Sequence, residues 1–298
     1  MNHQRGLATL SGAILGTACA LLLMGAEGNA SDHRGAYTEE FHQTYTLSPG
    51  GRLDLANING AVHITGWDNN QVKVDAVKYA GTKERLDEAK IRVSAGSDYI
   101  SIHTEYPDRT QTFTDDDSNN PATVEYTLMV PRSARLDEVK LINGSLDIAG
   151  VDGEVRASSI NGHLQAKQLS GRVKLSTING RLDADFARLP NSPIELSSVN
   201  GSLQLTLPSD AKAEIEASTV HGGIENDFGM TTHDRHYVGH DLHGELGGDG
   251  TRIEMRNVNG RIEIRHAGDN RAISPARDLG EERASDRDKD NDDDDDNL

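Results

Sequence analysis

Two stretches, "SSINGHLQAK" (Ser158–Lys167) and "STINGRLDAD" (Ser176–Asp185), begin 18 residues apart and share the pattern small-small-Ile-Asn-Gly-polar-Leu. The turn in this pattern returns along the chain, and between Gly144 and Gly222 the glycines are spaced by 18, 18, 21 and 21 residues. A period near 20 indicates a repeat architecture. The seven turns are Asn59 and Gly60, Asn143 and Gly144, Asn161 and Gly162, Asn179 and Gly180, Asn200 and Gly201, His221 and Gly222, and Asn259 and Gly260.

Apolar residues alternate with polar ones on both sides of each turn. The second residue after the glycine is aliphatic in all copies: Val62, Leu146, Leu164, Leu182, Leu203, Ile224 and Ile262. The fifth residue before it is also apolar: Leu55, Val139, Ala157, Leu175, Leu196, Ala217 and Met255. Alternation with period two predicts two short strands per copy, each with one buried face.

Two folds fit these strands. Asn-Gly between alternating runs is typical of two-residue hairpins, so a hairpin meander is one interpretation. The other is a β-solenoid, in which Asn-Gly forms a corner and each coil stacks in parallel on the previous one. The residue before the Asn is always β-branched and apolar: Ile58, Ile142, Ile160, Ile178, Val199, Val220 and Val258. In a hairpin these side chains would face solvent, so we expect them to point inward at a corner.

The resulting fold prediction is all-β: a single-stranded parallel β-helix with coils of 18 to 21 residues. In-register stacking would place Asn over Asn about 4.8 Å apart, where side-chain amides can bond along a ladder. Ser159, Thr177, Ser198 and Thr219 form one expected inward column.

The ends of the chain differ from the repeats. Residues 1–30 have the charged start, apolar stretch and small residues before Ala30 of a secretory signal peptide. We expect a linker over 31–44, the solenoid over 45–268 and a disordered acidic tail over 269–298, because the last segment is rich in Asp and poor in apolar residues. No transmembrane segment is predicted after signal cleavage. The protein is therefore expected to be exported, to the periplasm or the cell surface.

Composition excludes some partners. The net charge is -18, and phosphate binding needs clustered Lys and Arg, so nucleic acid is not an expected partner. The single cysteine, Cys19, lies in the predicted signal peptide, so the mature chain would have no disulfide.

The order of elements resembles a family, the bacterial adhesin-like β-helix domains. The matching pieces include "VHITGWDNNQVKVDAV" from Val62, "VEYTLMVPRSARLDEVKLINGSLDIAGVDGEV" from Val124 and "GDGTRIEMRNVNGRIEI" from Gly248. The resemblance covers Tyr45 to His266 and implies a right-handed parallel β-helix in an exported or surface protein. It supplies no catalytic residues and no cofactor.

No sequence motif for a known catalytic or nucleotide-binding site is present, so the chain is predicted not to be an enzyme and to need no cofactor. A carbohydrate-active enzyme, a lyase or hydrolase on a β-helix, is the alternative. In "HDRHYVGHDLHG" four histidines lie within eleven residues. His236 and His240, the central pair, are the candidate metal ligands, against the simpler interpretation of a polar loop.

The main hypothesis is a non-enzymatic binding or scaffolding module of the cell envelope. Its partner would be an envelope protein or glycan. Outward positions on adjacent copies give the candidate binding surface: Arg156, His163, Lys174, Arg181 and Asp183.

Overall fold

In the computed structural model of the protein, residues 36–107, 121–234 and 239–280 are described. They form an all-β structure with one short helix, α1 (Lys83–Glu88). The strands are β1 (Tyr37–Thr46), β2 (Arg52–Asn59), β3 (Val62–Trp67), β4 (Gln71–Ala80), β5 (Lys90–Ala95), β6 (Tyr99–Glu105), β7 (Thr123–Pro131), β8 (Arg135–Asn143), β9 (Leu146–Ala149), β10 (Val155–Asn161), β11 (Leu164–Lys167), β12 (Val173–Asn179), β13 (Leu182–Asp185), β14 (Ile194–Asn200), β15 (Leu203–Leu207), β16 (Ala213–His221), β17 (Ile224–Asn226), β18 (His233–Asp234), β19 (His240–Leu246), β20 (Thr251–Asn259), β21 (Ile262–His266) and β22 (Ala276–Asp278).

These strands form two large mixed sheets. The first sheet has the order β1-β4-β7-β3-β9-β11-β13-β15-β21-β17. The second has the order β18-β19-β16-β20-β14-β12-β10-β8-β2-β6-β5, and β22 pairs with β19. Aliphatic side chains from both sheets, such as Leu164, Leu175 and Leu203, are fully buried in one hydrophobic core.

The predicted fold class, a single-stranded parallel β-helix, is wrong. Strands β1, β4 and β7 pair antiparallel at one end of the first sheet. Antiparallel pairs also join β5 to β6, and β19 to β16, β18 and β22. In addition, β20 inserts between β14 and β16, so the strand order does not follow the chain. The repeat pattern shows where strands turn, but it does not show how the strands outside the repeated centre pair.

The central strands do pair as predicted. Strand β10 lies between β8 and β12, and β12 pairs with β14, all in parallel. Their register places Asn161 opposite Asn143 and Asn179. Since β10 and β11 belong to different sheets, the Asn-Gly turn between them is a corner and not a hairpin.

Glycine is required at this corner by space as well as by conformation. Gly162 has φ +154, and a Cβ there would overlap the carbonyl oxygen of Gly144 in the adjacent turn. A Cβ at Gly180 or at Gly201 would overlap the carbonyl oxygen of the preceding turn glycine in the same way. The turns are therefore stacked so closely that only a residue without a side chain fits.

The β-branched residue before each Asn does not point inward, contrary to prediction. Strand β10 alternates regularly: Ala157 and Ser159 are buried, and Ile160 lies on the outside. The bend begins only at Asn161, so it does not reverse the side of the preceding residue. The expected inward column is confirmed, because Ser159, Thr177, Ser198 and Thr219 are all buried.

The expected boundaries of the folded region also need correction. Strand β1 begins at Tyr37, inside the predicted linker, and pairs with β4 over ten residues. Part of the predicted disordered tail is ordered too, since Ala276–Asp278 forms β22 against β19. Backbone pairing holds these segments although they have few apolar side chains. The predicted signal peptide and residues 281–298 of the predicted tail lie outside the described residues.

The described part of the chain contains no helix long and apolar enough to span a membrane.

Candidate binding surface

The outer face of the second sheet carries a row of exposed aliphatic side chains. Across six adjacent strands these are Val220, Val258, Val199, Ile178, Ile160 and Ile142, and each is 38% to 43% exposed. We call this row the aliphatic ridge. With strands about 4.8 Å apart, it is about 24 Å long. Single exposed aliphatic residues are ordinary, but six in one line form a continuous apolar feature.

An asparagine ladder runs beside the ridge. The Nδ2 atom of each Asn donates to the Oδ1 atom of its neighbour, and the bonds joining Asn143, Asn161, Asn179 and Asn200 are 2.9 to 3.0 Å long. Asn59 and Asn259 extend the ladder at its two ends. Each ladder bond uses one hydrogen of an amide that has two, and one of its two acceptor sites. The ladder can therefore still offer a row of donors and acceptors to a ligand.

Serines lie on the other side of the ridge at its centre. Ser158, Ser176 and Ser197 face outward in one row, opposite each other on β10, β12 and β14. On these three strands the serine, aliphatic and Asn rows contain no charged residue. We call this three-strand region the neutral face. It is bordered by a charged row with Arg156, Lys174 and Glu195.

The five predicted surface residues lie on both sheets. Arg156 and Lys174 belong to the second sheet, where Arg156 pairs with Glu154 at 2.6 Å and Lys174 with Glu195 at 2.7 Å. The hydrogen bond from Lys174 lowers the pKa of Glu195 below its ordinary value. In both pairs the cation is exposed and the carboxylate is half-buried, and surface ion pairs of this kind add little to stability.

The other three form a small network on the first sheet. Arg181 donates to Asp183 at 2.6 Å and to Gln204 at 2.7 Å, and His163 lies 3.5 Å from the Asp183 carboxylate. These side chains come together because the turn places residues 163 and 181 next to the start of β11 and β13. The five residues thus form two ion-paired groups and not one continuous surface.

The histidine segment is held by carboxylates. His240 bonds Asp234 at 2.7 Å, His243 bonds Glu214 at 3.1 Å and His233 bonds Asp278 at 2.8 Å. His236, the other candidate ligand, lies outside the described residues. Within the described ranges there is no group of three or more His, Cys, Asp or Glu side chains placed to hold a metal ion.

The ridge residues could be identified from the sequence, but they were predicted on the wrong side of the strand. The correct signal was present in the alternation itself. Because residues 157 and 159 were both expected to face inward, residue 160 had to face outward unless the strand bent early.

No family model matches the chain, and no curated protein matches it. Solved structures with a similar arrangement include a "putative cell adhesion protein" from Clostridium sporogenes, with 14% identity and a TM-score of 0.45, covering 76% of this chain and 100% of that one. A "putative adhesin" from Bacteroides fragilis has 10% identity and a TM-score of 0.30, covering 76% and 97%. A "putative lipid binding protein" from Parabacteroides distasonis has 10% identity and a TM-score of 0.29, covering 78% and 98%. Likeness of this degree does not indicate what this chain binds.

Proposed function

We propose that the chain is an exported, non-enzymatic binding module of the cell envelope that holds a neutral polysaccharide chain along the neutral face. The observation that carries this proposal is the aliphatic ridge: six exposed Val and Ile side chains in one line beside an Asn ladder. Export is supported by the signal-like sequence of residues 1–30.

The repetition of the surface favours a repeating ligand. Along the neutral face the same three groups return at each strand, about every 4.8 Å. This is close to the length of one sugar unit in an extended 1,4-linked chain, so successive units would meet equivalent contacts. A polypeptide in extended form advances about 3.3 Å per residue and has no such match.

The chemistry of the surface favours a neutral ligand with hydroxyl groups. The centre of the face has no charge to attract an ionic partner, whereas amide and serine hydroxyl groups can exchange hydrogen bonds with sugar hydroxyls. The aliphatic side chains would cover the C–H faces of the sugar rings. Each sugar unit would contribute little to the binding free energy, and the affinity would come from several adjacent units.

The test is affinity electrophoresis of the purified protein in gels containing hydroxyethyl cellulose. We expect the protein to be retarded, and the double variant Ile160→Ser with Ile178→Ser to lose the retardation. Gln165→Ser, on the outer row of β11 in the other sheet, is the control and should leave it unchanged. Because no charge is involved, retardation should not depend on ionic strength.

Two results would contradict the proposal. One is an unretarded protein that instead captures an envelope protein through the ridge. The other is cleavage of the polysaccharide that is lost on replacing one acid, such as Asp183, which would establish the enzyme.

A further inference from the structure

A cleft of about 780 Å³ opens at the other end of the second-sheet strands. It is formed by the segments that precede β14 and β16, by the start of β20 with the two residues before it, and by Arg271, and residues on its wall include Pro193, Lys212 and Arg252. Pro193 and Val199 are six residues apart on one extended segment, so the cleft lies about 20 Å from the aliphatic ridge. Its volume is within the usual range for small-molecule sites.

The cleft is basic although the whole chain carries a net charge of -18. Four cationic side chains line it, Arg188, Lys212, Arg252 and Arg271, against two carboxylates, Asp210 and Asp249. A local excess of positive charge in a wall of low dielectric constant concentrates anions from solution.

Two of the four cations are already engaged. Arg271 bonds Asp210 at 2.7 Å and lies 3.2 Å from Asp269, and Arg252 lies 3.7 Å from Glu216. Arg188 and Lys212 make no ion pair within the described ranges, and both are exposed. These two side chains, from segments far apart in the sequence, are therefore available for a ligand.

Neutral polar groups lie beside them. Asn191 and Ser192 line the cleft, and their side chains make no hydrogen bond among the described residues. The hydroxyl of Thr251 is not available, because it donates to the carbonyl oxygen of Pro190. The ring of Pro193 adds a small apolar surface.

We propose that this cleft binds an acidic saccharide through the carboxylate of a uronic acid unit. Arg188 and Lys212 hold the carboxylate, and Asn191 and Ser192 bond the sugar hydroxyls. An inorganic anion would fill only a small part of the volume and would leave the amide and the hydroxyl unused. A neutral sugar would leave both cations without a partner. This site is separate from the neutral face and does not depend on the function proposed there.

Titration calorimetry of the full chain with digalacturonate tests the proposal. We expect saturable binding that weakens at high ionic strength, and that falls by about tenfold or more in the double variant Arg188→Gln with Lys212→Gln, because charge-assisted hydrogen bonds are the strong ones. The matched control is Lys83→Gln with Lys90→Gln. It removes the same charge from two exposed lysines that lie around α1 and line no part of this cleft, so it should bind like the unaltered protein.

Two further probes define the ligand. Lactose, a neutral disaccharide, should give no saturable binding, and inorganic phosphate should bind more weakly than digalacturonate. Equal binding of lactose, tighter binding of phosphate, or an unchanged affinity in the Arg188 and Lys212 variant would each overturn the proposal. The ridge variant Ile160→Ser with Ile178→Ser should bind digalacturonate normally, so a failure of one site is distinguishable from a failure of the other.

Discussion

The central strands and the end strands of the sheets are built in different ways. In the centre, β10, β12 and β14 pair in parallel and place like residues over like: Asn on Asn, Ser on Ser and aliphatic on aliphatic. At the ends, antiparallel strands place unlike residues together, as where β4 pairs with β1 and β7. A repeating centre can be extended by any further copy of itself, whereas an end has to stop the stacking.

The ends stop it with polar and charged side chains. The edge strand β1 carries Glu39, Glu40 and His42, and the edge strand β5 carries Lys90 and Arg92. Charged edges of this kind discourage further strand pairing. Stability in the centre therefore depends on close stacking of identical turns, whereas at the ends it depends on particular hydrogen bonds.

The largest expected effect is in the centre, at a turn glycine. Gly162→Ala should destabilise the fold by about 3–5 kcal/mol, because the left-handed backbone is unfavourable for alanine and the added Cβ would overlap the carbonyl oxygen of Gly144. Chemical denaturation measures the change. Gly223→Ala is the control: it lies next to a turn glycine but has open space, and should change stability by less than about 0.5 kcal/mol. Equal effects would disprove close stacking of the turns.

The second-largest expected effect on stability concerns the buried column that contains Ser159. The hydrogen bonding of this column differs between its end and its centre. At the end, Asn57 donates to the carbonyl oxygen of Val124 at 2.8 Å and accepts from Thr104 at 2.9 Å. Thr104 also bonds Tyr126, and burial raises the pKa of that phenol to about 12, so it stays protonated. In the centre, the Ser159 hydroxyl has no partner among the described residues.

Asn57→Ala should therefore cost about 2–3 kcal/mol, since it leaves buried groups unsatisfied. Ser159→Ala should lie within about 0.5 kcal/mol of the unaltered protein, because it removes a buried hydroxyl that makes no bond. Both changes in stability are obtained from denaturation midpoints measured under the same conditions. A costly Ser159→Ala would show that the central hydroxyls are bonded, by water or otherwise, and that the two regions are more alike than the structure indicates.

The same contrast explains how far the sequence could predict the fold. The turns, the strand lengths, the Asn ladder and the buried Ser159 column all follow from local alternation and from one repeated pattern. The pairing of β1 with β4 and the insertion of β20 beside β16 do not, because they depend on contacts between segments that share no repeat. The fold class was therefore wrong, although the central pairing was right.

The two candidate sites also differ in how far the sequence could predict them. The ridge residues could be listed from the sequence because they occupy one position of the repeat, and only their side of the strand was misjudged. The cleft could not be predicted, since Arg188 and Lys212 come from two loops with different sequences and Arg252 comes from the start of β20. Their proximity depends on β20 lying between β14 and β16.

The smallest expected effect is a pH dependence confined to the β1 edge. The Nδ1 atom of His42 bonds Asp75 on β4 at 2.8 Å, and its Nε2 atom bonds Glu40 at 3.1 Å. The bond with Asp75, and then the bond with Glu40, raise the pKa of His42 above its ordinary value of 6.5. A raised pKa means that the folded state holds the proton more tightly than the unfolded state does.

The contribution of His42 is thus fully present below pH 6.5 and is lost as pH rises through the higher folded-state pKa. We expect amide exchange in β1, corrected for its intrinsic pH dependence, to become faster over that interval, while exchange in β12 does not change. The change should be small, because the side chains of His42 and Glu40 are exposed. His42→Gln should remove the pH dependence. If NMR titration of the His42 imidazole gave a pKa at or below 6.5, the β1 edge would not use this ion pair. The β1 edge would then respond to pH no differently from the centre.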